Sequence, residues 1–312
     1  MLKPGSASES VQASLGPFDL AGAPAVRRAA AYLELTKPRI TFLILLVSLA
    51  ALWLGSAGNA GLPRLLTLSA AICLLAGGMF AVNQFQEREI DARMRRTENR
   101  PLPAGRLQPR EALWFGLALA GAALALLALA VNLLTALLGA LTLASYLLVY
   151  TPLKKITPHC TLLGAFPGAA PPLLGWTAAR GELSAEAWIL FSILFLWQFP
   201  HFHAIACLYR DEYSRAGVRL WPVVEPSGRT AARQIVGAAA LLVPVTLLPS
   251  AVGLSGNVYL AGAGALGLLF LSLSVRSAWE KSARRAQELL LASVVYLPLL
   301  LALMVLDSGG TR

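Results

Sequence analysis

Asn83, Glu87 and Asp91 close a long, nearly uncharged run and are followed at once by Arg95, Arg96, Thr97, Glu98, Asn99, Arg100, Pro101 and Leu102. On a helix the i, i+4, i+8 spacing puts three oxygen-bearing side chains along one face, drifting about 40° per step. Like charges at i, i+4 repel, so Glu87 and Asp91 would weaken an isolated helix. A hard divalent cation such as Mg2+ resolves that conflict, because it takes carboxylate and amide oxygens and bridges them to phosphate.

The theme recurs at Tyr209, Arg210, Asp211, Glu212 and Tyr213, with Arg215 and Arg219 beyond. Asn83, Glu87, Asp91, Asp211 and Glu212 are therefore the candidate catalytic and metal-holding residues. Arg88, Arg96, Arg100 and Arg210 are guanidiniums suited to bidentate phosphate contacts, and Lys154 adds an ammonium on the same side. Carboxylates for metal plus guanidiniums for phosphate is the combination a diphosphate ester requires. The competing account of either cluster is a solvated helix end at the bilayer boundary. Asn83 argues against it, since it lies inside the apolar run, and polar groups at membrane depth face a cavity or a partner.

His201 and His203 stand in Trp197-Gln-Phe-Pro-His-Phe-His, two turns before Asp211. At i, i+2 they point to different faces of a regular helix, so the two cannot share one metal ion. The readings open to them are contact with a ligand's metal or carboxylate, proton transfer near neutral pH, or helix packing. Gly164, Gly168, Pro171, Pro172 and Gly175 put small and helix-breaking residues into one apolar segment. They serve either close helix approach or a bundle widened for a flat ligand.

The elements that must carry these residues are membrane helices. The chain is 57% hydrophobic and 13% charged, with a mean hydropathy of +0.65, far from the roughly one-quarter charged of soluble domains. Nine stretches approach the roughly 20 apolar residues that a crossing needs: 40–57, 66–86, 112–131, 133–151, 161–178, 187–208, 234–253, 257–275 and 287–306. The fold class expected is all-α, a polytopic membrane bundle of nine transmembrane helices around a central cavity. No polar segment between spans is long enough for a second core, so 33–312 reads as one domain. Residues 1–32 read as a disordered cytoplasmic arm.

A net charge of +10 would suit nucleic acid, but its placement excludes that reading. With nine spans and a cytoplasmic amino terminus, nearly every Lys and Arg falls on the cytoplasmic side, and only Arg64, Arg180 and Arg312 fall outside. That is the positive-inside pattern of a protein whose surroundings are membrane lipid. Cys73, Cys160 and Cys207 are isolated and lack CxxC spacing, so they read as packing residues, Cys73 included.

The chain resembles the UbiA superfamily of intramembrane prenyltransferases, and within it the branch that farnesylates heme. The resemblance covers about 33–306. It rests on Leu35-Thr-Lys-Pro-Arg39, Asn83-x3-Glu87-x3-Asp91 with Arg96-Thr97 and Arg100-Pro101-Leu102, Tyr150-Thr-Pro-Leu-Lys-Lys, Gly168-Ala-Ala-Pro-Pro-Leu-Leu-Gly-Trp176, and Trp197-Gln-Phe-Pro-His-Phe202 leading to Arg210-Asp-Glu-Tyr213. It implies Mg2+ as cofactor, with farnesyl diphosphate held between the acidic clusters and heme B as acceptor, giving heme O.

On the matching positions, Asn83, Glu87 and Asp91 form a first metal site and Asp211 with Glu212 a second. Arg39, Arg96, Arg100 and Lys154 become diphosphate contacts, and His201 and His203 fall on the heme side. The setting implied is the bacterial inner membrane with the active site facing the cytoplasm, and a heme A synthase or oxidase-assembly partner. The chain departs from the superfamily pattern at Glu87 and Tyr209, where Asp is usual, and at Cys160, where Asn is frequent. A relative acting on an aromatic or quinone precursor and a transporter are the rival expectations.

Overall fold

The computed structural model describes residues 24–308, and these are helical without a strand. Helix α1 (Pro24–Leu35) is followed by α2 (Pro38–Gly55), α3 (Leu62–Asp91), α4 (Pro109–Ala130) and α5 (Leu133–Leu153). Then come α6 (Cys160–Gly168), α7 (Pro171–Arg180), α8 (Ala185–Leu208), the short α9 (Arg210–Arg215) and α10 (Trp221–Val224), and finally α11 (Arg229–Ala251), α12 (Asn257–Glu280) and α13 (Ala283–Leu306).

Eight of these are long and apolar enough to cross a membrane: α2, α3, α4, α5, α8, α11, α12 and α13. The stretch 161–178, expected as the fifth crossing, is divided between two helices, α6 and α7, each too short to span a membrane alone. Pro171 opens α7, and a proline there lacks the N–H and the space that would let α6 continue past Gly168. Among the described residues the count of continuous membrane-length helices is thus eight rather than nine.

Lipid tails are as apolar as leucine, so bundle helices associate through close packing rather than through water exclusion. The glycines of α6 and α7 provide it. A Cβ on Gly175 would fall on the carbonyl oxygen of Ser48 in α2, one on Gly168 would fall on Oε1 of Gln198 in α8, and one on Gly164 would overlap the Tyr150 ring. Ser48 Oγ also donates to the Pro171 carbonyl at 3.1 Å. Of the two roles open to this segment, close approach is the one realised. The broken pair joins two packed sets, one built on α3, α4 and α5 and the other on α8, α11, α12 and α13. Between α2, α7, α8 and α13 lies an apolar seam lined by Val47, Leu190, Leu194 and Leu297, enclosing about 10 Å³.

Residues 1–23 of the expected disordered arm lie outside the described residues. Its remainder, 24–32, is not disordered but forms most of α1. The reason is burial: Ala31 and Leu35 pack against Ala81, Leu102, Leu107 and Ala112, and Gln84 Nε2 donates to the Leu35 carbonyl at 2.8 Å. Cys160 is buried as expected of a packing residue, whereas Cys73 and Cys207 are exposed on the outer surface. Gly175→Leu should destabilise the bundle by about 2 kcal/mol or more, because neither backbone can yield without separating α2 from α7. Thermal unfolding in detergent measures it, and an unchanged midpoint would show that this contact does not hold the pair.

Candidate active site

Helix α3 has 30 residues, about 45 Å at 1.5 Å per residue, against a hydrocarbon core of roughly 30 Å. Its last turns carry Asn83, Glu87 and Asp91 to the end where the connections after α3, α5 and α8 gather. All three side chains are buried, Asn83 and Asp91 each 1% exposed and Glu87 8%. They therefore face neither lipid nor bulk solvent.

Each has a cationic neighbour delivered by a different segment. Arg100 Nη1 donates to both Asp91 oxygens, at 2.8 and 2.7 Å, and Thr97 Oγ1 closes the intervening turns onto the Asp91 carbonyl at 2.8 Å. Lys154 Nζ donates to Glu87 Oε1 at 2.7 Å and lies over the Tyr150 ring, 4.4 Å from its centroid. That ring has room because Gly164 lies beside it. Lys37 Nζ donates to Asn83 Oδ1 at 3.4 Å and sits 4.8 Å from the Phe80 centroid. Asn83 Nδ2 in turn donates to Thr151 Oγ1 at 3.2 Å.

Two backbone irregularities aim these groups. Lys37 adopts the left-handed region, with φ of 47°, a conformation rare outside glycine and costly enough that its surroundings must hold it. Its carbonyl accepts from the Ile40 and Thr41 amides, both at 3.0 Å, as α2 starts on Pro38. The last part of α5, Ser145–Tyr150, is a π-helix, a form that concentrates at functional sites. Gln86 Nε2 donates to the Leu147 carbonyl at 3.1 Å, and Thr151 Oγ1 to the Tyr146 carbonyl at 2.9 Å. The wound segment thus faces α3 and carries Lys154 round to Glu87.

Burial works against the Lys154 ammonium, but Glu87 outweighs it and holds the lysine pKa well above its ordinary value. Lys37 lacks such a partner. Burial first, and then the positive charge of Arg100, push it down to about 7, with Glu87 and Asp91 offsetting only part.

The second cluster is arranged differently. Asp211 and Arg210 are exposed and Glu212 is half-buried, with Glu212 Oε2 buried and without a hydrogen-bond partner. The two connections nevertheless dock: Ile90 and Met94 pack with Ala216 and Val218. Arg96 donates to the Tyr213 hydroxyl at 2.6 Å and lies against the Tyr209 and Tyr213 rings, 5.1 and 4.8 Å from their centroids. Tyr209, where the superfamily pattern has an acid, is here a face for Arg96.

The structure thus brings together Asn83, Glu87, Asp91, Arg100 and Lys154. Arg88 turns back on its own helix, donating to the Phe85 carbonyl at 2.8 Å. Arg39 is exposed, whereas Lys37, two residues before it, reaches Asn83. Lys37 and Thr151 are the site residues missed from sequence. Both lie in the motifs Thr36-Lys-Pro-Arg39 and Tyr150-Thr-Pro, and the prolines marking abrupt helix starts were the available signal.

His201 and His203 diverge as their spacing requires. His201 Nδ1 meets Ser293 Oγ of α13 at 2.8 Å and its ring stacks on Trp197 at 4.8 Å. Ser293 gives its own proton to the Leu290 carbonyl, so His201 Nδ1 carries the hydrogen. His203 Nδ1 meets the Phe199 carbonyl at 2.8 Å, which only accepts, and its buried Nε2 has no partner.

Among the described residues no three of His, Cys, Asp and Glu form a ready-made metal cluster. The donor set still fits Mg2+, which is held through one or two carboxylates and completes its shell with phosphate oxygen and water. Glu87, Asp91 and the Asn83 amide oxygen supply hard donors, and Glu212 Oε2, on the connection after α8, is buried without a hydrogen-bond partner.

Fold and site together define an integral membrane protein with an acidic site at one end of its bundle, lined by cations. The chain belongs to the UbiA prenyltransferase family, whose model matches residues 44–300. It is 51% identical to the protoheme IX farnesyltransferase of Solibacter usitatus, over 89% of this chain and 99% of that one. It is 48% identical to the protoheme IX farnesyltransferase of Koribacter versatilis, over 88% and 92%. Among solved structures it is similar to a digeranylgeranylglyceryl phosphate synthase, with a TM-score of 0.77 at 18% identity over 91% of this chain and 99% of that one. It also matches a UbiA homologue from Archaeoglobus fulgidus bound to GPP and Mg2+, with a TM-score of 0.62 at 17% identity over 88% and 99%.

Lys37 supplies a pH signature. Its folded pKa lies below the unfolded value of about 10.4, so the unfolded chain holds more protons between the two and stability rises with pH across that window. Lys37→Met removes the buried charge. The variant should melt higher than the wild type at pH 6.5, with the difference shrinking toward pH 9, as followed by thermal unfolding. A difference that is constant with pH would contradict a buried, weakly partnered ammonium.

Proposed function

We propose that the chain transfers a farnesyl group from farnesyl diphosphate to a vinyl group of heme B, with addition of water, to give heme O. The observation that carries this reading is the buried row of Asn83, Glu87 and Asp91 with Lys37, Arg100 and Lys154 around it. The relatives named above, matched over nearly their whole length, support farnesyl and heme as the two substrates.

In this reading the allylic C–O bond breaks and its electron pair leaves with the diphosphate. The farnesyl C1 bonds the terminal carbon of the vinyl group, water adds its oxygen to the inner carbon, and one proton is released. Lys37, Arg100 and Lys154 take up the charge growing on the diphosphate, in a setting where water competes little for them. Lys154 does so as a full ammonium, its proton secured by Glu87. Asn83, Glu87 and Asp91 would hold one Mg2+, and Asp211 with Glu212 a second. A cation held there would supply positive charge that stabilises the departing diphosphate.

Arg96, stacked on Tyr209 and Tyr213, keeps the second connection over the first and presents its remaining donors toward the same end. Arg39, Arg88 and Arg210 stand at the rim, where they would steer the anion inward. His201 and His203 would serve the heme side, each through an Nε2 lone pair left available by an Nδ1–H bond. The positive-inside distribution supports a cytoplasmic amino terminus and a site open to the cytoplasm of a bacterial plasma membrane. A heme A synthase or an oxidase-assembly protein would then receive the product.

Purified protein supplied with heme B, farnesyl diphosphate and Mg2+ should yield a heme heavier by farnesyl plus water on mass spectrometry. Asp91→Asn should lower the rate at least about 100-fold, the scale seen when transition-state charge loses a preorganised partner. Farnesylation of an aromatic acid or quinone precursor in preference to heme would overturn the assignment.

A further inference from the structure

Away from the acidic site, α1 and the first turns of α4 border a shallow, open surface groove lined by Ala29, Tyr32, Arg110, Glu111, Trp114 and Phe115. Its wall is mainly apolar, with charge at one end. Tyr32 and Phe115 form the floor, edge to face at 4.9 Å.

The charge at the end is not balanced. Glu111 is engaged by Arg28, whose Nη2 donates to Glu111 Oε1 at 2.6 Å, and it caps α4 by accepting from the Gln108 amide at 3.1 Å. Arg110 is exposed and makes no hydrogen bond or ion pair among the described residues. Trp114, one turn further, is on the same helix face and 69% exposed. Arg110 and Trp114 open a membrane-length helix, the position where basic and tryptophan side chains meet headgroups. The outer side of α1 adds exposed Val26 and Leu33, 43% and 61% accessible, as expected of a helix lying in the interface plane.

We propose that this groove binds an anionic phospholipid, with the phosphate on Arg110 and an acyl chain along Tyr32, Trp114 and Phe115. Anionic rather than zwitterionic lipid fits because the groove's one carboxylate is already neutralised, so a choline or ethanolamine ammonium finds no partner while a net negative headgroup meets Arg110. A lipid seated there presses α1 onto α4. The α1 terminus leads directly into Lys37.

The test is lipid retention by the full-length detergent-purified protein, read by native mass spectrometry after delipidation and titration with phosphatidylglycerol or phosphatidylcholine. The wild type should retain phosphatidylglycerol preferentially. Arg110→Gln should weaken that preference about fivefold, the value of one basic residue at an anionic surface, and Trp114→Ala should lower retention of both lipids. Arg64→Gln, at the far end of α3, serves as a control and should change nothing. Equal retention of the two lipids by the wild type, or an undiminished preference in Arg110→Gln, would overturn the proposal. Both side chains are exposed, so neither variant endangers folding, and the readout is independent of prenyl transfer.

Discussion

A carboxylate taken from water into the apolar end of a membrane bundle costs several kcal/mol unless cations and hydrogen bonds meet it. Glu87 and Asp91 impose that cost twice on one helix face, and the architecture around them answers it. Arg100 returns from the connection after α3, Lys154 arrives from the end of α5, and Lys37 from the turn before α2. Arg100 and Lys154 match the two carboxylates, and Lys37, its pKa pushed down to about 7 by burial, adds a positive charge when it is protonated. Such an arrangement would suit a multiply charged anion, with ammonium and guanidinium groups already oriented by the carboxylates.

Several of the scaffold's irregularities serve this placement. A left-handed residue aims Lys37, a π-helix swings Lys154 toward Glu87, and Thr97 closes the turns that return Arg100 to Asp91. The broken α6–α7 pair belongs to the same system. Gly164 admits the Tyr150 ring that lies under Lys154, and Gly175 lets α7 rest on the Ser48 backbone, which fixes the helix that Lys37 begins. Regular helix elsewhere supplies rigidity, and departures from it supply the site.

Much of this was legible in the sequence. The spacing of Asn83, Glu87 and Asp91 announces one helix face, and hydropathy outlines nine stretches, eight of which are continuous membrane-length helices among the described residues. What could not be read was side-chain direction at the turns. In Thr36-Lys-Pro-Arg39 both cations are equally basic, and only the backbone at Lys37 decides that it turns inward while Arg39 faces out. Arg96 has the same composition-level claim on phosphate as Arg100, yet the tyrosines at 209 and 213 draw it into a contact between connections. The interruption after Gly168 was signalled by Pro171 and Pro172, but average hydropathy passes over a break that leaves both halves apolar. Residues 24–32 look unstructured by composition because their helix depends on partners far along the chain, at Ala81, Leu107 and Ala112.

The central claim is that the cations now holding Glu87 and Asp91 are the ones that receive a prenyl diphosphate. The most direct measurement is a structure with an unreactive farnesyl thiodiphosphate and Mg2+. Lys154 and Arg100 should then lie within hydrogen-bond distance of phosphate oxygens, with Asn83, Glu87 and Asp91 turned to the metal. If both ion pairs persisted unchanged and the diphosphate bound elsewhere on the bundle, the account would be contradicted.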